Sequence, residues 1–256
     1  MPNHNGLLLY NKESIKSAKN LAYNLNLYPI HKDESILKLS KIYPIKIRYG
    51  NSYFEQIEDT KYNSPETIAL CSNSKKFSNF CMHNNIFSPQ YSPILNMQNE
   101  PEYPFLLRRN YHRSGRDIVI INSQQDLQQF TIEQLILRFY VKYIPTEYEI
   151  RLHYILGNIE KIFLKQPGPF ADTNIPIRST SHGWHYSIRP NDDEHRFVKA
   201  KELALQIAEK INLQFGAFDM AWSKINKQYI LWEINTAPGL NEQTLQLYTE
   251  RLKNIL

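Results

Sequence analysis

Three side chains near the end of the chain have the oxygen donors and the spacing to bind one metal ion. Glu233 and Asn235 belong to the strand-like segment YILWEIN, which runs into a Pro-Gly pair, and Asp219 belongs to the preceding segment FGAFDMAWS. Side chains alternate along a strand, so Glu233 and Asn235 share a face roughly 6.6 Å apart. Carboxylate and amide oxygens are the hard ligands that Mg²⁺ takes.

The two segments read as a hairpin whose register brings the carboxylates together. A turn centred on Asn226 places Asp219 opposite Glu233 and Met220 opposite Trp232, which we interpret as a packing residue. Like charges directly opposite each other destabilise a sheet, so a divalent cation between them is expected. Each carboxylate alone is more typical of a solvated strand face. Together, before a Pro-Gly turn, they favour a metal site.

A second hairpin, YEIRLHYILGNIEKIFLKQ, carries cations at strand positions that alternate with apolar residues. Matching the apolar residues of its two strands places Arg151 opposite Lys165, beside Glu149. Two cations on one sheet face suit a polyphosphate, because Arg binds it bidentately and Lys acts as a point charge. A solvated charged face is an equally good interpretation of this hairpin alone.

The segment PFLLRRNYHRSGRDIVII reads as two strands joined by a polar loop that contains Ser114 and Gly115. Backbone amides in such a loop can surround phosphates, and four nearby arginines add positive potential. With one glycine the motif is weak by itself, and the pattern GxxxxGK[ST] of a Walker loop is absent.

The composition sets bounds on the class of protein. The chain has 256 residues, of which 42% are hydrophobic, enough for a sizeable core. Cys71 and Cys81 fit neither a disulfide framework nor a four-ligand zinc site. The net charge of +5 suits an anionic ligand, but it is scattered, so nucleic acid is not an expected partner. No apolar run approaches the roughly 18 residues of a membrane span, so we expect no membrane partner and a cytoplasmic location.

The order of elements predicts an α+β protein. A β-α-β start, in which LLLY and KIYPIKIRYG flank a helix, indicates a small α/β N-terminal domain over residues 1–70. A small subdomain with the phosphate loop over 71–130 and a large subdomain with the metal site over 131–256 should follow. In the large subdomain one amphipathic helix has an apolar stripe with helical spacing: Ala200, Leu203, Ala204, Ile207, Ala208 and Ile211.

The segment WEINTAPGL resembles the E-x-N-x-x-P-G-[LF] signature of the ATP-grasp superfamily, and FGAFD resembles the G-x-D strand that precedes it. The resemblance is to the carboxylate-amine ligases of that superfamily, which include glutathione synthetase, D-alanine:D-alanine ligase and ribosomal-protein glutamate ligases. It implies an ATP-grasp fold, in which two α+β subdomains clamp ATP, preceded here by the small N-terminal domain. It also implies that Asp219, Glu233 and Asn235 bind Mg²⁺ or Mn²⁺.

Looser matches imply a nucleotide site. Arg108 stands where the family has a nucleotide-binding Lys, and Lys75 or Lys76 is similar to an earlier one, with Lys76 preferred. RSGRD resembles a shortened phosphate loop, and YVKYI resembles the hinge strand that binds adenine through backbone groups. The resemblance thereby adds these nucleotide contacts: Ser114, Gly115, Arg116, Val141, Lys142, Tyr143 and Ile144. Glu149 becomes a ribose or metal contact, and Arg151 and Lys165 become catalytic contacts to phosphate or acyl phosphate.

The function implied is ATP-dependent ligation of a carboxylate to an amine through an acyl phosphate. The partners are then ATP, a carboxylate substrate and an amine substrate, either small molecules or part of a peptide or protein. Two alternatives remain open. An ATP-grasp phosphotransferase would need the same metal site, and a non-catalytic nucleotide-binding module is suggested by Arg108, His185 and Ser187, which depart from the family pattern.

Overall fold

The structure, a computed structural model, describes residues 4–31, 36–52, 62–93, 102–109, 118–173, 177–187 and 194–256. The described helices and strands form three sheets with helices packed against them. None of the described helices has the length and apolar character needed to cross a membrane. The predicted domain boundaries near residues 70 and 130 stay predictions.

The N-terminal sheet is parallel, with strand order β2-β1-β3. Its elements are β1 (Leu7–Tyr10), α1 (Ile15–Asn24), β2 (Tyr28–Ile30), α2 (Ile36–Leu39) and β3 (Ile45–Tyr49). The predicted β-α-β start is thus confirmed, and the short strand β2 is an addition to it. All four residues of β1 are buried, as expected for a parallel strand covered on both faces.

The middle of the chain forms an antiparallel sheet of order β4-β7-β5-β6. Its strands are β4 (Tyr91–Pro93), β5 (Phe105–Arg109), β6 (Ile118–Ile121) and β7 (Arg138–Lys142). The helices in this part of the chain are α3 (Pro65–Ser72), α4 (Ser74–His83), α5 (Gln124–Gln128) and α6 (Ile132–Ile136). The sequence QDLQQFTIEQL, predicted as one helix, forms two, because Ser123 and Thr131 each begin a helix with a capping box.

The largest sheet is antiparallel, with strand order β10-β9-β8-β11-β12. Its strands are β8 (Tyr148–Ile155), β9 (Asn158–Pro167), β10 (Trp184–Ser187), β11 (Phe215–Ser223) and β12 (Gln228–Asn235), and it is followed by α8 (Glu242–Lys253). The apolar stripe of α7 (Val198–Lys210) packs on one face, against Phe218 and Met220. Charged side chains are therefore concentrated on the other face. Strand β10 lies in a segment predicted to be a polar loop.

Two predicted strand registers are wrong in part. Asp219 does lie opposite Glu233, but a β-bulge follows, so Met220 pairs with Leu231 and not with Trp232. In the other hairpin Arg151 lies opposite Phe163 and not opposite Lys165. The apolar face of that hairpin is as predicted, since Ile150 pairs with Leu164. A shift of two residues keeps every side chain on its face and changes only its neighbours.

Candidate functional site

A cavity of about 550 Å³ lies where the charged face of the large sheet meets the four-stranded sheet and the N-terminal unit, which consists of β1–β3 with α1 and α2. Its size falls in the range of roughly 300–1,000 Å³ that is usual for small-molecule sites. Its walls contain five cations and three carboxylates, a balance that suits an anionic ligand. Nine of the residues predicted to be functional line it together: Arg108, Tyr143, Ile144, Glu149, Arg151, Lys165, Asp219, Glu233 and Asn235.

The carboxylates of Asp219 and Glu233 are cross-strand neighbours, as the sequence predicts. Asp219 is buried, whereas Glu233 is exposed to the cleft. The protein atoms around the Glu233 carboxylate remove part of its hydration, and this desolvation, together with the charge of Asp219, raises the pKa of Glu233. A bound cation would remove this repulsion, because an opposite charge favours the ionised form of a carboxylate.

Arg151 neutralises Asp219 from the neighbouring strand. It donates two hydrogen bonds, from Nε to Oδ1 at 2.6 Å and from Nη2 to Oδ2 at 2.7 Å. Desolvation alone would raise the pKa of Asp219, but this ion pair outweighs it and lowers the pKa. The Arg151 guanidinium also lies over the ring of Tyr186, with Cζ 4.3 Å from the ring centre. Its position is therefore fixed from two sides.

Lys165 forms the second ion pair of the cleft. Its Nζ lies 2.9 Å from Oε2 of Glu149 and 5.2 Å from the ring centre of Tyr186. The prediction that Arg151 faces Lys165 is wrong, since the register instead brings Lys165 to Glu149. Both cations nevertheless share the ring of Tyr186, so a single aromatic side chain supports the two positive charges of this wall.

Asn235 lies one row further along the same face, opposite Ala217. Its Oδ1 accepts a hydrogen bond of 3.0 Å from the backbone N–H of Ala237. A carbonyl oxygen has two lone pairs, so this bond leaves one available to a cation.

The donors fit a Mg²⁺ site of a particular kind. Among the described residues, no group of three or more His, Cys, Asp or Glu side chains could enclose a metal by itself. Asp219, Glu233 and Asn235 offer two carboxylates and one amide. Mg²⁺ typically takes one or two protein carboxylates and completes its shell with water and substrate phosphates. The arrangement therefore suits a cation that arrives with a phosphorylated ligand.

The remaining predicted contacts are placed differently. Arg108 lines the cavity and donates from Nη1 to the hydroxyl of Tyr91 at 2.8 Å. Val141 is buried in strand β7, Lys142 pairs at the surface with Glu102, and Lys76 lies in the first turn of α4; none of these three lines the cavity. Any contact of Val141 and Lys142 with a ligand in the cavity would be limited to backbone groups. Ser114, Gly115 and Arg116 lie outside the described residues.

Several residues of the cavity wall were not predicted from the sequence. Trp232 was interpreted as a packing residue, but the bulge in β12 makes it line the cavity. Ser17 and Lys16 come from the first turn of α1, just after the first parallel strand. A usable signal existed for them, since ligands of parallel sheets bind at the carboxyl ends of strands. Arg178 donates to the carbonyls of Thr146 and Glu147, contacts that only tertiary structure reveals.

No family model and no curated protein matches this chain. Solved structures do match it. D-alanine–D-alanine ligase from Bacillus anthracis is 13% identical, with a TM-score of 0.71 over 97% of this chain and 98% of that one. VanG D-Ala:D-Ser ligase from Enterococcus faecalis is 12% identical, with a TM-score of 0.69 over 98% and 99%. N5-carboxyaminoimidazole synthetase from Staphylococcus aureus, complexed with ADP, is 14% identical, with a TM-score of 0.64 over 93% and 72%.

Proposed function

We propose that this chain, whose predicted ATP-grasp fold is confirmed by its likeness to those ligases, is itself an ATP-dependent carboxylate-amine ligase. One observation carries the proposal. Asp219, Glu233 and Asn235 converge on a cavity that Arg151 and Lys165 line from neighbouring strands of the same sheet. A metal-binding face beside fixed cations is what phosphoryl transfer to a carboxylate requires.

The nucleotide would bind between the four-stranded sheet and the large sheet. Backbone groups near Tyr143 and Ile144 would contact adenine, and Glu149 would contact the ribose or a metal. Arg108, held by Tyr91, would contact phosphate. Solved relatives of this fold were determined with ATP or ADP, which supports a nucleotide here.

Asp219, Glu233 and Asn235 would hold Mg²⁺ or Mn²⁺, which neutralises phosphate charge when bound. The substrate carboxylate attacks the γ-phosphorus of ATP, so that a carbon-bound oxygen gains the phosphoryl group and ADP leaves. Arg151 and Lys165 stabilise the negative charge on the transferring group and on the acyl phosphate. The amine then attacks the acyl carbon, and inorganic phosphate leaves as the carbon-nitrogen bond forms.

The acid and the amine are small molecules or parts of a peptide or protein. This broad class of substrates, and a cytoplasmic location, stay predictions.

The test is to measure ADP and inorganic phosphate with Mg·ATP over a panel of amino acids, short peptides and polyols. Phosphate release that needs both a carboxylate and an amine, and that Glu233→Ala abolishes, is the expected result. ADP without free phosphate would replace the ligase with a phosphotransferase. Tight ATP binding without turnover on any member of the panel would favour a nucleotide-binding module.

A further inference from the structure

The loop that follows β12, residues 236–241, is anchored to the N-terminal unit at two hydrogen bonds. The hydroxyl of Tyr49, at the end of β3, donates to the carbonyl oxygen of Pro238. The backbone N–H of Leu240 donates to Oγ of Ser17, in α1, at 2.9 Å. Tyr49 is fully buried, so its bond to Pro238 is shielded from water. Residues 189 and 223 positions earlier in the chain therefore fix this loop.

A third anchor is a close backbone approach at Gly50. Its φ of +68° is in the left-handed region that favours glycine. A Cβ at this position would lie 2.6 Å from Cβ of Ala237 and 2.7 Å from Nδ2 of Asn11. Asn11 in turn donates from Nδ2 to the Gly50 carbonyl at 3.2 Å. The space beside Ala237 is thus filled by the N-terminal unit.

Ala237 is also the residue that orients Asn235. Its N–H donates to Asn235 Oδ1 at 3.0 Å, so the amide oxygen, and not the amide nitrogen, faces Ala237. A movement of Ala237 or Pro238 would rotate or release this amide. A continuous series of contacts therefore connects Tyr49 and Gly50, through Ala237 and Pro238, with Asn235.

We propose that Tyr49 is a positioning residue for the divalent-cation site and acts through the loop of residues 236–241 to orient Asn235. The inference rests on the proposed function, because it takes Asn235 as a ligand of Mg²⁺ or Mn²⁺. It adds that the N-terminal unit helps set the affinity for that cation. Residues that orient a metal ligand typically change metal affinity by about 10-fold or more when they are replaced.

Tyr248 provides a matched control. Like Tyr49 it is fully buried, and its hydroxyl donates to a backbone carbonyl, that of Gly216, at 3.0 Å. Both rings also contact Phe215, with ring centres 6.0 Å away for Tyr49 and 6.1 Å for Tyr248. Replacement of either by Phe removes one buried hydroxyl and leaves a carbonyl without its donor. Tyr248→Phe also removes a contact of 3.2 Å with His153 Nδ1, and only in Tyr49→Phe does the affected carbonyl belong to the loop after Asn235.

The experiment is a Mn²⁺ titration, followed by electron paramagnetic resonance, of the full chain with saturating ADP. Tyr49→Phe is expected to weaken Mn²⁺ binding by about 10-fold, whereas Tyr248→Phe keeps the wild-type affinity. Thermal unfolding should show similar losses of stability for both variants. Unchanged Mn²⁺ affinity in Tyr49→Phe, or an equal loss in both variants, overturns the inference.

A second variant covers the case in which Tyr49→Phe does not fold. Ser17→Ala removes the acceptor of the Leu240 N–H at a half-buried position and should also weaken Mn²⁺ binding. An unchanged affinity there counts against the inference. If the wild-type chain with ADP binds no Mn²⁺, the proposed function fails and the inference fails with it. If the wild type binds Mn²⁺ and the variants match it, only the inference fails.

Discussion

Arg151 and Asp219 form a bidentate ion pair across neighbouring strands, with N–O distances of 2.6 and 2.7 Å. Both oxygens of the buried carboxylate are therefore already in contact with a cation, while Glu233 beside it is not engaged in this pair. A metal ion that enters between the carboxylates must share Asp219 with Arg151. This one pair thus joins the metal-binding side of the cleft to its phosphate-binding side.

Arg151→Ala should destabilise the fold by about 3–5 kcal/mol, because it leaves the Asp219 carboxylate buried without its partner. Denaturant unfolding at neutral pH measures the loss. Lys142→Ala is the comparison, since Lys142 pairs with Glu102 at 2.6 Å and both side chains are largely exposed. Its loss should be much smaller, because exposed ion pairs contribute little. Equal losses for the two variants would contradict the role given to the Arg151–Asp219 pair.

Glu233→Gln should separate function from stability. It removes one of two facing carboxylates, so the metal-free protein should be as stable as the wild type or more stable. ATP turnover should nevertheless fall by about 100-fold or more, as expected when a group that supports transition-state charge is lost. Thermal unfolding without metal and ADP release with Mg·ATP are the two measurements. A variant with normal ADP release would remove Glu233 from the site.

Lys165→Met should lower kcat by about 100-fold, because the positive charge next to the transferring phosphoryl group disappears. Lys161→Met is the matched control: it lies on the same strand, opposite His153, and does not line the main cavity. Steady-state kinetics of ADP release compare the two. Similar kcat values for both variants would show that the charge of Lys165 is not used.

His153 makes the stability of the fold depend on pH. Burial and the charge of Arg151 lower the pKa of His153 to about 3, so the folded protein keeps this imidazole neutral. The unfolded chain binds the proton below about pH 6.5. The free energy of unfolding should therefore fall as pH drops from about 6.5 towards 3, by at most about 1.4 kcal/mol per pH unit from this group.

His153→Gln removes that proton and keeps a hydrogen-bonding side chain for the hydroxyl of Tyr248, which lies 3.2 Å from His153 Nδ1. Urea unfolding at about pH 7, 6 and 5 should show a shallower loss of stability for the variant than for the wild type. Parallel curves would mean that His153 binds its proton as easily in the folded protein as in the unfolded one.

The sequence allowed the pairing of Asp219 with Glu233 to be predicted because small and apolar residues define the faces of β11. It did not allow the bulge to be predicted, since Leu231 and Trp232 are both apolar and either could face the core. The register of the second hairpin depends on a two-residue turn, in which Leu156 and Gly157 have φ values of 49° and 89°. Such turns are usually marked by Asn-Gly or Asp-Gly, and Leu-Gly lacks that signal.

The contribution of the N-terminal unit to the cavity was not predicted, for a different reason. Tyr49 and Ser17 contact Pro238 and Leu240, which are far away in the chain. Periodicity and turn signals describe neighbours in sequence, whereas these contacts depend on how the three sheets pack. The sequence pattern predicted strand β3 and helix α1, which carry these residues, but it did not predict which surface they contact.

The bulge in β12 places a natural fluorophore, the indole of Trp232, in the wall of the cavity. The chain has three tryptophans, of which Trp184 is almost fully buried and Trp222 packs against the core under the sheet. Trp232 is the one that lines the cavity. A ligand that displaces water from this indole should shift its emission while the other two contribute a constant background. Intrinsic fluorescence can therefore follow occupancy of the cleft without a label, and the Trp232→Phe variant supplies the blank.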